Sequence, residues 1–368
     1  IKVMEDAIIV DAEVNGAKCS FMFDTGFSGS VVVDPSIDLG KPTGTMTLRD
    51  FVGQFEAPTV KLKSLKIGAM GIDSSDMEAV QMSQGNMSEG YNSHCDGIMG
   101  FEAVSSYVFE INFEKSKFVF HPSTEDITKR VPDNKRTFLT KLLPKGHNSL
   151  EMLVDNEKGG QFVLALDTGN AFYATTHKDV LVREGLWNLS DEPKFCKSSF
   201  VASGAVKSFY YMMKDAKIFG VPVKESVWDI IDAASSSADH DGTVGFGFLK
   251  NFNITIDNKR RRVWLEQFRS PDSELIADIG ATVFENPATK RITVYNVTPE
   301  GPADQAGLKR GDEVLEVDGK EPLNMNPREV YRMFQGKVGE SVKLAVSRAG
   351  NLKTFTIARK YLINNMPK

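Results

Sequence analysis

The chain has 368 residues, 41% of them hydrophobic and 25% charged, with a formal net charge of −5. That apolar fraction builds packed cores and excludes a disordered chain, and the length suits two or three domains of roughly 100–200 residues. The charge is too mild to imply a nucleic-acid partner: the densest basic run, Lys259-Arg260-Arg261-Arg262, reads as a hairpin turn between apolar strands.

In chain order, a β-rich run over 7–14 is followed by Asn15-Gly16, a strong hairpin signal, then by a second run ending in Asp24-Thr25-Gly26. The same order recurs. Leu150, Met152 and Val154 precede a Gly159-Gly160 turn, and an apolar run then ends in Asp167-Thr168-Gly169. Downstream, Asp96-Gly97-Ile98-Met99-Gly100-Phe101 has a counterpart in Asp241-Gly242-Thr243-Val244-Gly245-Phe246. The aspartates lie 143 residues apart (24 to 167) and the glycines 145 (100 to 245), so one spacing persists through both copies. A strand-turn-strand follows each, over 109–120 and 252–265. The expected domains are therefore a lobe over 1–125, a second copy over 126–268, and a separate domain over 271–368, with a polar connection near 122–135. In the last domain a helix is expected near Pro327–Phe334, with strands near 341–347 and 354–358.

Two aspartates at equivalent points of a repeat can do hydrolytic chemistry. Carboxylates about 3 Å apart cannot both ionise; one takes a proton from a water while the other donates one. The threonines can tie one turn to the other, and each glycine leaves room for a substrate backbone and permits a tight turn. The three cysteines, Cys19, Cys95 and Cys196, match no zinc spacing, and their odd number excludes a fully paired framework; three buried thiols are expected. His94-Cys95-Asp96 occupies a turn, and His121, His147, His177 and His240 show no ligand spacing, so no metal and no organic cofactor is expected.

The run Phe23 to Val32 and the triplets Ile98-Met99-Gly100 and Thr243-Val244-Gly245 resemble the motifs of bilobal aspartic peptidases of the pepsin and retropepsin type, in their bacterial form. The resemblance implies a mainly β fold with two pseudo-twofold-related lobes. It also implies an aspartic endopeptidase, monomeric for catalysis, that hydrolyses protein or peptide substrates. Asp24 and Asp167 would be the catalytic dyad, supported by Thr25, Gly26, Thr168 and Gly169. A flap hairpin would carry Phe51 and Gly53, or else lie around 202–211. Phe27 and Asn170 stand where that family has a small residue, which makes the lobes unequal. Asn170 can donate a hydrogen bond and Phe27 cannot, so Asp167 is expected to be the ionised member. The same departures leave a catalytically weak pseudo-protease as the alternative.

The run Pro299 to Leu308, followed by Gly311-Asp312-Glu313-Val314-Leu315 and Asp318-Gly319, resembles a bacterial PDZ domain. Such domains add a peptide as an extra strand and capture its C-terminus on backbone amides. By this resemblance Ile279, Gly280 and Ala281 form the carboxylate loop, Val283 the pairing strand, and Val330, Tyr331 and Phe334 a helix wall, recruiting substrate C-termini or gating the cleft; Val330 and Phe334, four apart, fit the domain core equally well. No apolar run approaches the roughly 18 residues that span a bilayer. The chain starts at Ile1 without Met, so an upstream segment is expected to have been removed or left out of this sequence, and the missing start together with the resemblance to envelope peptidases that carry PDZ domains suggests the cell envelope or periplasm.

Overall fold

Asn15 and Gly16 adopt φ of 50° and 87°, the left-handed pair that a two-residue hairpin requires. They join Ile8–Val14 to Ala17–Asp24 in antiparallel register, Val14 opposite Ala17. These strands belong to a computed structural model, mainly β, that describes residues 1–83, 93–146, 148–236, 240–286, 288–323 and 325–366. The chain divides into two compact units. One holds Ile1–Leu189, Met213–Asp229 and Ala233–Ser273; the other holds Ser190–Met212, Ile230–Asp232 and Glu274–Lys368.

In the first unit one pattern occurs twice. Strand Gly97–Gly100 pairs parallel to Ala17–Asp24 and antiparallel to Val31–Val33. Strand Gly242–Val244 pairs parallel to Gln161–Leu166 and antiparallel to Ala174–His177. Each inserted strand begins with Asp-Gly for the same two reasons. The Asp96 carboxylate accepts from Ser20 N at 2.8 Å, and that of Asp241 from Val163 N at 2.9 Å. Gly97 and Gly242 have φ of 158° and 143°, and a side chain on either would collide with the carbonyl of Val32 or Thr175. The two trailing hairpins, Val108–Asn112/Lys117–His121 and Phe252–Asp257/Arg262–Gln267, join one five-stranded sheet with Thr137–Lys141; Val108 lies opposite Asp257. Phe23, Phe109 and Phe118 stack beneath it, with Phe109 and Phe118 centroids 4.8 Å apart.

The basic run forms the turn of the second hairpin, as its sequence suggests. Arg261 donates to the carbonyls of Leu143 and Ser149 at 2.6 and 2.7 Å, and Arg260 to Asp257 at 3.0 Å. These cations are consumed by local structure.

The second unit contains a five-stranded antiparallel sheet in the order Ala281–Glu285, Ile292–Val297, Glu313–Val317, Ser341–Arg348, Asn351–Ala358. Helix Pro327–Phe334 packs on the first of these strands. It is started by Asn326, which accepts from Arg328 N at 2.8 Å, with Glu329 returning to Asn326 N at 3.0 Å, and Pro327 suits the first turn. Asp312 is buried and held by two 2.7 Å bonds from Arg348. All three cysteines are free; Cys19 and Cys95 are buried, Cys196 half-buried. Among the described residues, no helix is long and apolar enough to cross a membrane, and no group of acidic, histidine and cysteine side chains has metal-site geometry. His147 lies outside the described residues.

Candidate functional site

Asp24 is the last residue of strand Ala17–Asp24, and Asp167 follows directly on strand Gln161–Leu166. Asp24 Oδ1 accepts from Gly26 N at 2.8 Å and Phe27 N at 3.1 Å; Asp167 Oδ1 accepts from Gly169 N at 2.9 Å and Asn170 N at 3.1 Å. The threonines between them are buried and bond reciprocally. Thr25 Oγ1 donates to the Leu166 carbonyl at 2.8 Å and accepts from Thr168 N at 3.0 Å. Thr168 Oγ1 donates to the Phe23 carbonyl at 2.7 Å and accepts from Thr25 N at 3.1 Å. Four hydrogen bonds therefore fix one turn against the other within the first unit, satisfying both threonine amides and the Phe23 and Leu166 carbonyls.

The glycines have a different role from the expected one. Neither needs a left-handed φ. A methyl on Gly26 would lie 2.6 Å from Asp167 Cγ, and one on Gly169 would lie 2.6 Å from an Asp24 carboxylate oxygen. Each glycine makes room for the carboxyl group of the opposite turn. That crossing brings Asp24 and Asp167 into hydrogen-bonding contact.

Burial raises the Asp24 carboxyl well above the ordinary carboxylate range, and the Asp167 charge and its hydrogen bond raise it further, against the lowering effect of the Gly26 and Phe27 amides. Burial also raises Asp167, but its bonds with Asp24, Gly169, Thr243 and Asn170 all favour its ionised form. Both carboxyls are raised by burial, and the groups around Asp167 favour its ionised form more than those around Asp24 do. Asn170 acts on Asp167 through other side chains as well as through its own N–H. The Asn170 amide donates to Thr175 Oγ1 at 2.9 Å and Thr243 Oγ1 at 2.8 Å, and Thr243 in turn supports Asp167. Thr243 is 76 residues from Asp167, and no local pattern announced it. Phe27 turns its ring onto Gly29 and Gly100 and offers only its backbone N–H. A pair of this kind can bind a water or a polar backbone, one oxygen accepting a proton while the other donates.

The hairpin Gly44–Arg49/Gln54–Lys61 places Phe51 and Gly53 in its turn, where Asp50 Oδ1 accepts from Val52 N and Gly53 N at 3.0 and 2.9 Å. Ser236 N donates to the Phe51 carbonyl at 3.1 Å, and the Phe51 ring lies 6.0 Å from that of His177. In the second unit Ile279, Ala281, Val330 and Phe334 are buried in the domain core, while Val283 is half-buried. The expectation that Val330 and Phe334 form a groove wall is thus corrected: four apart on one helix, both face inward. What 279–281 can offer a ligand is backbone.

Residues 293–348 match the family model of the PDZ domain. The chain is 36% identical over 88 residues to the carboxy-terminal processing protease CtpA of Bacillus subtilis, covering 23% of this chain and 18% of that protein. It is 26% identical over 148 residues to the putative serine protease HhoA of Synechocystis, covering 40% and 32%. The chain thus spans less than a third of either relative. A solved aspartic proteinase from Irpex lacteus aligns with 73% of this chain and 96% of its own at 11% identity and a TM-score of 0.41, too low to carry an argument. The named relatives contradict the expectation of an aspartic endopeptidase, and with it the aspartyl and retropepsin-like label: where a catalytic type is named, it is serine. The supported statement is coarser: a chain that contains a PDZ domain and is similar, over part of its length, to carboxy-terminal processing and serine proteases.

Proposed function

We propose that this chain binds and processes polypeptides at two places. A PDZ domain over 271–368 takes peptide C-termini, and two related β-lobes, 1–125 and 126–268, hold Asp24 and Asp167 as a paired carboxyl site that binds polypeptide backbone. Thr25, Gly26, Thr168 and Gly169 hold the pair, and the hairpin bearing Phe51 and Gly53 covers a bound polypeptide. Peptide-bond cleavage enters this reading from the relatives' names, and a cell-envelope location from the same resemblance. The observation that carries the site assignment is the Asp24–Asp167 pair, held by reciprocal threonine bonds with each carboxyl lodged against the glycine of the opposite turn.

The site assignment is tested by binding. The full chain is titrated with fluorescein-labelled, reduced and unfolded casein by anisotropy, with Asp24→Asn and Asp167→Asn, each checked for native unfolding behaviour, in parallel. Binding weakened at least tenfold in both variants supports the assignment. Binding unchanged in both overturns it.

A further inference from the structure

The loop that should receive a peptide terminus is already holding a carboxylate. Asp278 precedes Ile279-Gly280-Ala281, and its Oδ1 accepts from Gly280 N at 2.5 Å, with the Ala281 amide also directed to the same carboxyl group. These are amides of the loop that a PDZ domain uses for a terminal carboxylate. Asp278 has little freedom to leave. Its N–H donates to the Lys360 carbonyl at 2.9 Å, and its carbonyl accepts from Lys360 N at 3.0 Å. Ala277 is likewise bonded on both sides to Gly336. The second oxygen, Oδ2, is buried, and the side chains directed at the carboxyl group are the uncharged Tyr331 and Gln335.

The groups around it do not neutralise that charge. From helix Pro327–Phe334 and its end, Tyr331 and Gln335 face the carboxyl group. Tyr331 in turn faces Tyr210 of the second unit's other segment, and neither tyrosine is a cation. Arg359, beside Lys360, spends its guanidinium on the carbonyls of Phe334 and Met333. The Lys360 side chain is exposed.

We propose that Asp278 makes the PDZ loop selective by protonation, refusing a free peptide carboxylate while its own is ionised and accepting one once it is neutral. A second carboxylate on the same amides would stand against a buried like charge. Burial raises Asp278 to about 6, against the lowering effect of the Gly280 amide, Tyr331 and Gln335. A peptide C-terminus, with a pKa of roughly 3.5, stays ionised throughout the range in which Asp278 changes. The receptive fraction then falls from about nine-tenths at pH 5 to about 3% at pH 7.5, weakening apparent affinity about thirtyfold. Selectivity follows: at neutral pH the loop suits internal segments or blocked termini.

This inference rests on the PDZ domain binding peptides, and the test separates the two claims. A fluorescein-labelled decapeptide ending in three apolar residues, as free acid and as C-terminal amide, is titrated with the full chain by anisotropy from pH 5 to 8. The free acid should bind about thirtyfold more weakly at pH 7.5 than at pH 5, and the amide should bind equally at both. Asp278→Ala, which empties the loop, and Asp278→Asn, which keeps the oxygen and removes the charge, should bind the free acid at pH 7.5 as the natural chain does at pH 5. Tight, pH-independent binding of the free acid by the natural chain overturns the proposal while leaving peptide binding intact. Failure of both peptides with the natural chain and both variants at every pH overturns the peptide-binding reading itself, and the proposal with it.

Discussion

Replacing Thr25 by Val keeps the shape of the side chain and removes its hydroxyl. Two hydrogen bonds disappear, and two groups in a buried setting are orphaned, the Leu166 carbonyl and the Thr168 amide. An unsatisfied buried group costs about 1–3 kcal/mol, so the variant should lose roughly 4 kcal/mol. Thr168→Val strands the Phe23 carbonyl and the Thr25 amide and should lose a similar amount. Thr25→Ser keeps the hydroxyl and should lose much less. The readout is well placed, because all three tryptophans, Trp187, Trp228 and Trp264, lie in the first unit. Urea unfolding followed by tryptophan fluorescence therefore reports the unit that contains the clamp. If Thr25→Val costs less than about 0.5 kcal/mol, or no more than Thr25→Ser, the four bonds do not hold the turns together.

Other consequences are separately measurable. Gly26→Ala drives a methyl to 2.6 Å from Asp167 Cγ; overpacking of this kind costs about 1–3 kcal/mol, and the same fluorescence transition should show it together with a disturbed carboxyl titration. Gly242→Ala combines left-handed strain with a collision on the Thr175 carbonyl and should cost more than Gly26→Ala in a side-by-side comparison of urea midpoints. Asp278 has a folded pKa raised to about 6, so the folded state holds its proton more tightly. The stabilisation is complete below the unfolded value near 3.9 and is lost as pH rises through about 6. Asp278→Asn should accordingly gain up to about 3 kcal/mol above pH 7 and nothing at pH 4, read by hydrogen exchange over Ala281–Glu285 and Pro327–Phe334.

Much of this was legible from local chemistry. Asn15-Gly16 named its own turn, the repeat of Asp-Thr-Gly located both carboxylates, and the helix expected near Pro327–Phe334 spans those residues. What escaped was set by distance. The tie from Asn170 through Thr243 joins residues 73 apart, and the role of Gly26 appears only once the opposite turn is in place. Ser190–Met212 clusters with Glu274–Lys368 through pairings such as Asn364 N to the Tyr210 carbonyl at 3.0 Å, which no periodicity in either segment encodes. Val330 and Phe334 were ambiguous for a simpler reason: one apolar stripe serves equally as core or as groove wall, and burial decides it.

The central claim is that Asp24 and Asp167 share a proton. It is tested most directly by titrating the side-chain carboxyl carbons of the full chain by NMR, with the two residues assigned through Asp24→Asn and Asp167→Asn. The account predicts that both resonances respond in the same two steps, with Asp24 the last to ionise, and that either substitution leaves one step at the remaining aspartate. Two independent titrations, each in the ordinary range near 3.9, would contradict it.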